Sequence, residues 1–188
     1  MLSESQLNVY ILSDGLSPRL RERLQSQIGA TLRSTPRWAL ERLSNRLDEL
    51  GARNLPIIVE PHADEPGDGR CLSFGRIDGR PAVRLMPLVT GNEIRWGQDR
   101  RYLVARAVAY LAAPADDDAV FWQRWAEAIE CDRLREAAAG AGNEWHASTH
   151  LGLFVEMCAA YQIKPDHAKW RRLPAVRSFL EEWPATGG

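Results

Sequence analysis

Two short apolar runs in the first sixty residues have the length and composition of strands. Residues 7–12 (LNVYIL) and residues 55–59 (LPIIV) are rich in leucine, isoleucine and valine and are bounded by polar segments. Runs of this length with branched side chains are typical of buried strands. We therefore predict a strand at each place.

Between these strands the apolar positions change to helical spacing. Leucines and isoleucine recur every third or fourth residue after Ser17-Pro18, and a second such series follows Thr35-Pro36 and ends at Gly51. Serine or threonine before proline is a common helix start, with the hydroxyl residue as N-cap. The short proline turn between the two predicted helices favours an antiparallel helical pair.

A hairpin is indicated after the second strand. Residues 71–76 and 81–86 flank Asp78-Gly79, a dipeptide that favours the tight two-residue turn. Residues 87–96 show no clear period, and we predict irregular structure there.

The most apolar long segment, residues 97–114, predicts a central buried helix. Further helices are indicated after the aspartates 116–118 and over residues 147–163, and a short apolar segment near Trp170 closes the chain. The expected fold is α+β in a single domain, 1–188. Residues 1–92 would form the helical hairpin and a small mixed or antiparallel sheet, and residues 97–183 the helical half.

Composition narrows the function classes. The chain has 188 residues, 45% hydrophobic content and a net charge of −1, so charge gives no reason to expect nucleic acid or a membrane surface as partner. Only Lys164 and Lys169 are lysines, an arginine bias that is typical of GC-rich bacterial genomes. No signal peptide or transmembrane segment is apparent, which favours a cytoplasmic protein or export by a route that needs no signal.

Few residues indicate chemistry. No phosphate-binding or nucleotide-binding glycine motif is present, and Cys158 lies on an apolar helical face, where a core role is expected. His146 and His150 are four residues apart, so one helix face would bring both to a metal. The alternative is two exposed histidines near a cleft, and spacing alone names no third ligand.

Two charges interrupt apolar helical runs. Glu156 lies in residues 153–161, and Arg106 lies in the central helix. A charge placed in an apolar surrounding costs free energy unless it is paired. We therefore hypothesise an ion pair between Arg106 and Glu156, with separate exposure to solvent as the alternative.

The order of elements resembles the lethal-factor-like zincins, a group of gluzincin metallopeptidases. In that group two helices joined at a proline precede a small sheet, then come an H-E-x-x-H helix with two zinc ligands and a later helix with a glutamate ligand. Residues 152–161 (GLFVEMCAAY) resemble the later helix, which often reads E-x-F-A-E-x-F-A-x-Y, and residues 170–180 resemble the closing segment. The resemblance implies a zincin-like fold.

The diagnostic residues of the zincins are replaced. Ala105 and Ala109 occupy the two histidine positions, Arg106 the catalytic glutamate and Gly152 the metal-binding glutamate, and only Glu156 matches. A catalytic zinc needs three protein ligands and a base for its water. The resemblance therefore implies a pseudo-peptidase without zinc or other cofactor.

The function expected from this resemblance is binding of a protein or peptide, in a bacterial effector or toxin-associated role. The binding residues would be those of the degenerate cleft: Ala105, Arg106, Ala109, Trp145, His146, Gly152 and Glu156. Two alternatives stay open. One is an active zinc metallohydrolase with displaced ligands at His146 and His150, and the other is a structural or regulatory subunit of a complex.

Overall fold

A four-stranded mixed sheet is built from strands in the first half of the sequence. The structure, a computed structural model, describes residues 7–12, 16–53, 55–63, 71–138 and 149–183. The strands are β1 (Leu7–Ile11), β2 (Leu55–Val59), β3 (Leu72–Ile77) and β4 (Arg80–Leu85), in the spatial order β1-β2-β4-β3. β1, β2 and β4 are parallel to one another, and β3 is antiparallel to β4 at one edge of the sheet. The predicted strands and the predicted mixed sheet are confirmed.

The turn between β3 and β4 has the geometry that its sequence predicts. Asp78 and Gly79 both have positive φ angles, of 51° and 76°. A two-residue turn with both φ angles positive matches the right-handed twist of the strands that it joins, and it favours glycine at the second position. The predicted hairpin is confirmed.

A second, smaller hairpin follows where irregular structure was predicted. β5 (Leu88–Thr90) and β6 (Glu93–Arg95) pair antiparallel around Gly91, whose φ is 60°. The prediction of an irregular segment was therefore wrong. Strands of three residues are too short to show a period of two in the sequence, so only the Gly91-Asn92 turn carried a signal.

Six α-helices complete the described part of the chain. They are α1 (Pro18–Arg33), α2 (Arg37–Glu49), α3 (Arg100–Ala112), α4 (Ala119–Ala138), α5 (His150–Ile163) and α6 (Pro174–Glu182), with a 3₁₀ helix at Ala168–Arg171 before α6. The Ser17 hydroxyl caps α1 by accepting the Leu20 N–H at 3.3 Å, as predicted. In α2 the N-cap is Pro36, without a side-chain hydrogen bond, so Thr35 does not cap that helix.

α3 is the central helix, as the sequence predicts. It packs against α1, α2 and α5 and against strands β3 and β4. Leu103, Ala107, Val108 and Leu111 are fully buried. A helix that is apolar on most of its surface is expected to be surrounded by other elements, as α3 is.

The predicted antiparallel pairing of α1 and α2 was wrong. α2 packs mainly against α3, and α1 packs against both α3 and β1, whereas α1 and α2 touch each other little. Their apolar stripes, which include Leu24 and Ile28 in α1 and Leu43 and Leu47 in α2, are directed into the core. The short turn limits the relative orientation of α1 and α2. Both pack on α3 because its apolar surface is larger than the surface that they offer each other.

The C-terminal helices enclose a cluster of aromatic rings. Trp125 and Phe154 are fully buried with ring centroids 5.4 Å apart, and Phe179 and Trp183 pack around them. Most of the tryptophans in this region are therefore core residues. Val120 and Leu134, which share the helical spacing of α4, are 72% and 63% exposed, because the apolar stripe of α4 is narrower than the sequence suggests.

In the described part of the chain, every helix is too short or too polar to cross a membrane.

Candidate functional site

Arg106 and Glu156 form an ion pair between the central helix and α5. The Arg106 Nη2 atom lies 2.6 Å from Glu156 Oε1, and the two side chains are 21% and 35% exposed. The hypothesised pair is confirmed. It brings together the two charges that interrupt the apolar runs of α3 and α5.

Glu156 also accepts a hydrogen bond from Tyr102. The Tyr102 hydroxyl donates to Glu156 Oε2, so both carboxylate oxygens have donors. Burial raises the pKa of Tyr102 well above its usual range, and the hydrogen bond to the Glu156 carboxylate raises it further. The phenol is therefore held in its neutral, donating form.

Lys169, just before Trp170, adds a second positive charge near Glu156. Burial lowers the pKa of the half-buried Lys169 ammonium, and the Glu156 carboxylate opposes that shift. The Lys169 Nζ atom also lies 4.4 Å from the centroid of the Trp170 ring. The Glu156 carboxylate thus lies near one phenol, Tyr102, and two cations, Arg106 and Lys169.

Aromatic rings from β3 and α3 flank this group. Phe74 and Tyr110 are stacked, with centroids 4.5 Å apart and planes at 19°, and the Tyr110 hydroxyl donates to the carbonyl of Gly75 at 3.0 Å. The Arg106 guanidinium carbon lies 5.8 Å from the Phe74 ring centroid. We call the surface formed by Phe74, Tyr102, Arg106, Tyr110 and Glu156 the Arg106 surface.

The Arg106 surface borders the open edge of β3. In a two-residue hairpin the residues that flank the turn exchange backbone hydrogen bonds, so Ile77 bonds to Arg80 and alternate residues of β3 bond to β4. The bond from Met86 N to Cys71 O at 2.9 Å agrees with this alternation. The backbone groups of Leu72, Phe74 and Arg76 therefore point away from β4, and no described residue hydrogen-bonds to them.

The predicted cleft residues are not brought to one open surface. Arg106 and Glu156 are in contact, but Ala109 is 1% exposed and belongs to the core. Ala105 is 6% exposed and lines a different cavity, on the side of α3 that faces α1 and α2. Gly152 is half-buried in the first turn of α5, where its N–H donates to the Thr149 hydroxyl at 3.0 Å. Ala105 and Ala109 of α3 thus have packing roles, and its residues Tyr102, Arg106 and Tyr110 belong to the Arg106 surface.

Only one of the two histidines in the metal hypothesis, His150, lies in the described part of the chain. Thr149, the N-cap of α5, is extended with φ −141° and ψ 154°, and the helix begins at His150. The side chain of His150, the first residue of α5, is exposed. Trp145 and His146 themselves lie outside the described residues.

Side chains of the types that ligate metals are dispersed over the described residues. They include no group of three or more histidine, cysteine, aspartate or glutamate side chains arranged to hold a metal ion. Cys158 is fully buried, and burial raises its pKa to about 12, so its thiol is not an activated nucleophile. The Arg106 surface combines an ion-paired arginine, aromatic rings and a strand edge whose outward backbone groups have no partner among the described residues.

Three members of this arrangement were not predicted from the sequence. Tyr110 follows Arg106 by one helical turn, as Arg106 follows Tyr102, so helical spacing alone could have added it to the stripe. Phe74 and Lys169 are distant in sequence and reach the site only through the packing of β3 and of the 3₁₀ helix. No local signal marks them.

Comparison of the chain with protein-family models, with curated proteins and with solved structures finds no match.

Proposed function

We propose that the chain is a zincin-like domain that has lost catalysis and binds an extended peptide beside α3. The observation that carries this proposal is the ion pair between Arg106 and Glu156. The resemblance puts a catalytic glutamate at position 106 and a second acid at position 156. In this chain position 106 is an arginine, and its positive charge neutralises the Glu156 carboxylate.

Contact between these two positions supports the zincin-like assignment. One metal ion can be held by two helices only when the helices pack closely, as α3 and α5 do. The mixed sheet before α3 also agrees with the expected order of elements. A guanidinium in the place of a metal retains the positive charge beside Glu156 but supplies no open coordination position for water.

The edge of β3 supplies the means of peptide binding. Three residues of β3 direct backbone donors and acceptors outwards, and such an edge can accept an additional strand. Phe74 and Arg106 lie beside this edge and would contact the side chains of the added strand. The partner is therefore an extended protein segment, and the effector or toxin-associated role implied by the resemblance stays a prediction.

Metal content tests the loss of catalysis. We expect far less than one zinc per chain in protein purified without chelator, measured by inductively coupled plasma mass spectrometry. Stoichiometric zinc that is lost in His150→Ala would overturn the proposal and favour the displaced-ligand hydrolase. His150 is exposed, so this variant has little reason to misfold.

Peptide selection tests the binding surface. A displayed library of random linear peptides would be selected on the full chain, and the selected peptides measured by calorimetry. Arg76→Pro removes one outward N–H from β3, whereas Arg76→Ala keeps that N–H and removes the same ion pair with Asp116. We expect weaker binding in the proline variant only. Equal binding by both variants, or selected peptides that bind elsewhere, would contradict strand addition at β3.

A further inference from the structure

β3 and α3 run side by side in the same direction. Phe74 lies level with the middle of α3, where its ring centroid is 5.8 Å from the Arg106 guanidinium carbon. Arg76, further along β3, forms an ion pair at 2.7 Å with Asp116, which lies beyond the C-terminal end of α3. The N-terminal end of β3, at Leu72, therefore lies towards the first turns of α3. A strand added at the open edge of β3 has one of its two ends there.

The charges along this edge balance at one end only. Arg76 and Asp116 neutralise each other beside the C-terminal half of β3. Towards the first turns of α3, Arg106 and Lys169 share the carboxylate of Glu156, to which Arg106 is bound at 2.6 Å. Lys169 itself makes no ion pair with any other described residue. The N-terminal end of the edge thus carries one excess positive charge.

Lys169 is partly shielded from water. It is half-buried, and its Nζ atom lies 4.4 Å from the centroid of the Trp170 ring, which is buried. Burial lowers the pKa of Lys169, and the Glu156 carboxylate offsets this shift only in part. Because water screens a half-buried pair less than an exposed one, a carboxylate from a partner gains more free energy here than at a fully solvated lysine.

The apolar contact of an added strand lies at Phe74. The Phe74 side chain is 37% exposed although its ring stacks on Tyr110. Directly opposite residues of neighbouring strands place their side chains together, so a partner residue opposite Phe74 lies against this ring. An aromatic or branched side chain is favoured at that position. Antiparallel pairing is slightly more stable per residue than parallel pairing, and it directs the C-terminal side of the added strand towards the N-terminal end of β3.

We propose that the partner is an acidic segment bound antiparallel to β3, with an apolar residue opposite Phe74 and acidic residues about two to four positions later in the peptide, towards Lys169. This inference rests on the proposed binding of an extended peptide and adds the charge and the direction of that peptide. The carboxylates of the segment supply the negative charge that Arg106 and Lys169 together lack.

Three synthetic peptides test the charge and the direction. Each has a core of alternating threonine and valine around one phenylalanine. The first carries two glutamates after the core, the second carries them before it, and the third carries two lysines after it. We expect the first to bind the full chain at least about fivefold more tightly than the others in calorimetry, and this preference to shrink in about 0.5 M sodium chloride. Equal affinities of the first and third peptides would overturn the acidic preference, equal affinities of the first and second the direction, and no binding of the first at about 1 mM both.

Variants assign the charge preference to Lys169. Lys169→Gln should weaken the first peptide by about fivefold and leave the second unchanged. Lys164→Gln removes the same charge from an exposed position just after α5 and is the matched control, with an expected change of less than about twofold. Arg76→Pro removes an outward N–H and should weaken all three peptides, so it reports strand addition itself.

The variants also separate this inference from the proposed function. If Arg76→Pro weakens binding but Lys169→Gln leaves the first peptide unchanged, strand addition stands and the assignment of the acidic residues to Lys169 is wrong. If Arg76→Pro weakens none of the peptides, they do not bind at β3, and the proposed function and this inference both fail. The preference among the three peptides is measured on the unmodified chain, so it does not depend on the folding of any variant.

Discussion

Arg106 and Glu156 join α3 to α5 through an ion pair in which the two side chains are about four-fifths and two-thirds buried. Among the described residues the guanidinium makes no second ion pair, and its Nε atom is buried without a hydrogen-bond partner. Glu156 keeps a second donor in Tyr102. Loss of either residue nevertheless leaves a partly buried charge without its ion-pair partner.

The first prediction concerns the strength of this pair. A pair of intermediate burial lies between exposed pairs, worth less than 1 kcal/mol, and buried ones, whose disruption costs several. We expect Glu156→Gln and Arg106→Met each to lower the free energy of unfolding in urea by about 1–2 kcal/mol, and the double variant to cost less than their sum. The control is Arg95→Ala, which breaks a largely exposed pair and should cost less than about 0.5 kcal/mol. Strict additivity would show that the contact contributes nothing.

Local chemistry explains which parts of the fold the sequence predicts. The Ser17-Pro18 start of α1 and the Asp78-Gly79 turn are each determined by the conformations that two neighbouring residues allow. The central position of α3 follows from its apolar composition alone. The Arg106–Glu156 pair follows from one physical rule, that charges in apolar helices need partners.

The unpredicted parts depend on contacts between distant segments. α1 and α2 pack on α3 because α3 offers more apolar surface than they offer each other. The stacking of Phe74 on Tyr110 requires β3 to cross α3, which no periodicity shows. Ala109 was predicted at the cleft because of a resemblance, but its 1% exposure reflects close packing of a small residue in the core.

The second prediction is a pH dependence at Tyr102. Its pKa is raised above the unfolded value of 10.0, so folding favours the neutral phenol. The resulting contribution to the free energy of unfolding is fully present below about pH 10. It falls by less than about 1.4 kcal/mol per pH unit as the pH rises towards the pKa of Tyr102 in the folded protein. Tyr102→Phe should therefore be less stable than the wild type at neutral pH, and the difference should shrink above about pH 10.

Urea unfolding at several pH values checks this dependence. Tyr10→Phe, at a tyrosine that is 50% exposed on β1, is the control for loss of a phenol elsewhere. The prediction is wrong if the difference in the free energy of unfolding between Tyr102→Phe and the wild type stays constant up to about pH 11. Ionisation of the Tyr102 phenol would then not destabilise the folded protein.

The third prediction concerns thiol reactivity. Cys131 is exposed on α4, whereas Cys71 and Cys158 are buried and the pKa of Cys158 is raised to about 12. Reaction needs both access and the thiolate, so iodoacetamide should modify Cys131 first and Cys158 only when the protein unfolds. Peptide mass spectrometry after timed labelling measures each site, and Cys131→Ser should remove the rapid phase. Rapid labelling of Cys158 in the folded protein would show that α5 separates readily from the core.

The last prediction concerns a cap that comes from another helix. The N-cap residue of α6, Leu173, has no side-chain acceptor, and the fully buried Asp132 of α4 supplies one instead. Its two carboxylate oxygens accept the N–H groups of Ala175 at 3.2 Å and Val176 at 2.9 Å. A carboxylate at this place satisfies two free N–H groups and lies at the positive end of the helix dipole.

Asp132→Ala should lower the free energy of unfolding by about 2–3 kcal/mol, because two buried donors lose their acceptors. Asp132→Asn keeps one carbonyl acceptor and should cost less, about 1 kcal/mol. Asp117→Ala, at an exposed aspartate just before α4, is the matched control and should change stability by less than about 0.5 kcal/mol. Amide hydrogen exchange adds a local measurement: in Asp132→Ala the first turn of α6 should exchange faster than in the control. If α6 exchanges at the same rate in both variants, Asp132 does not hold that helix in place, and its burial needs another explanation.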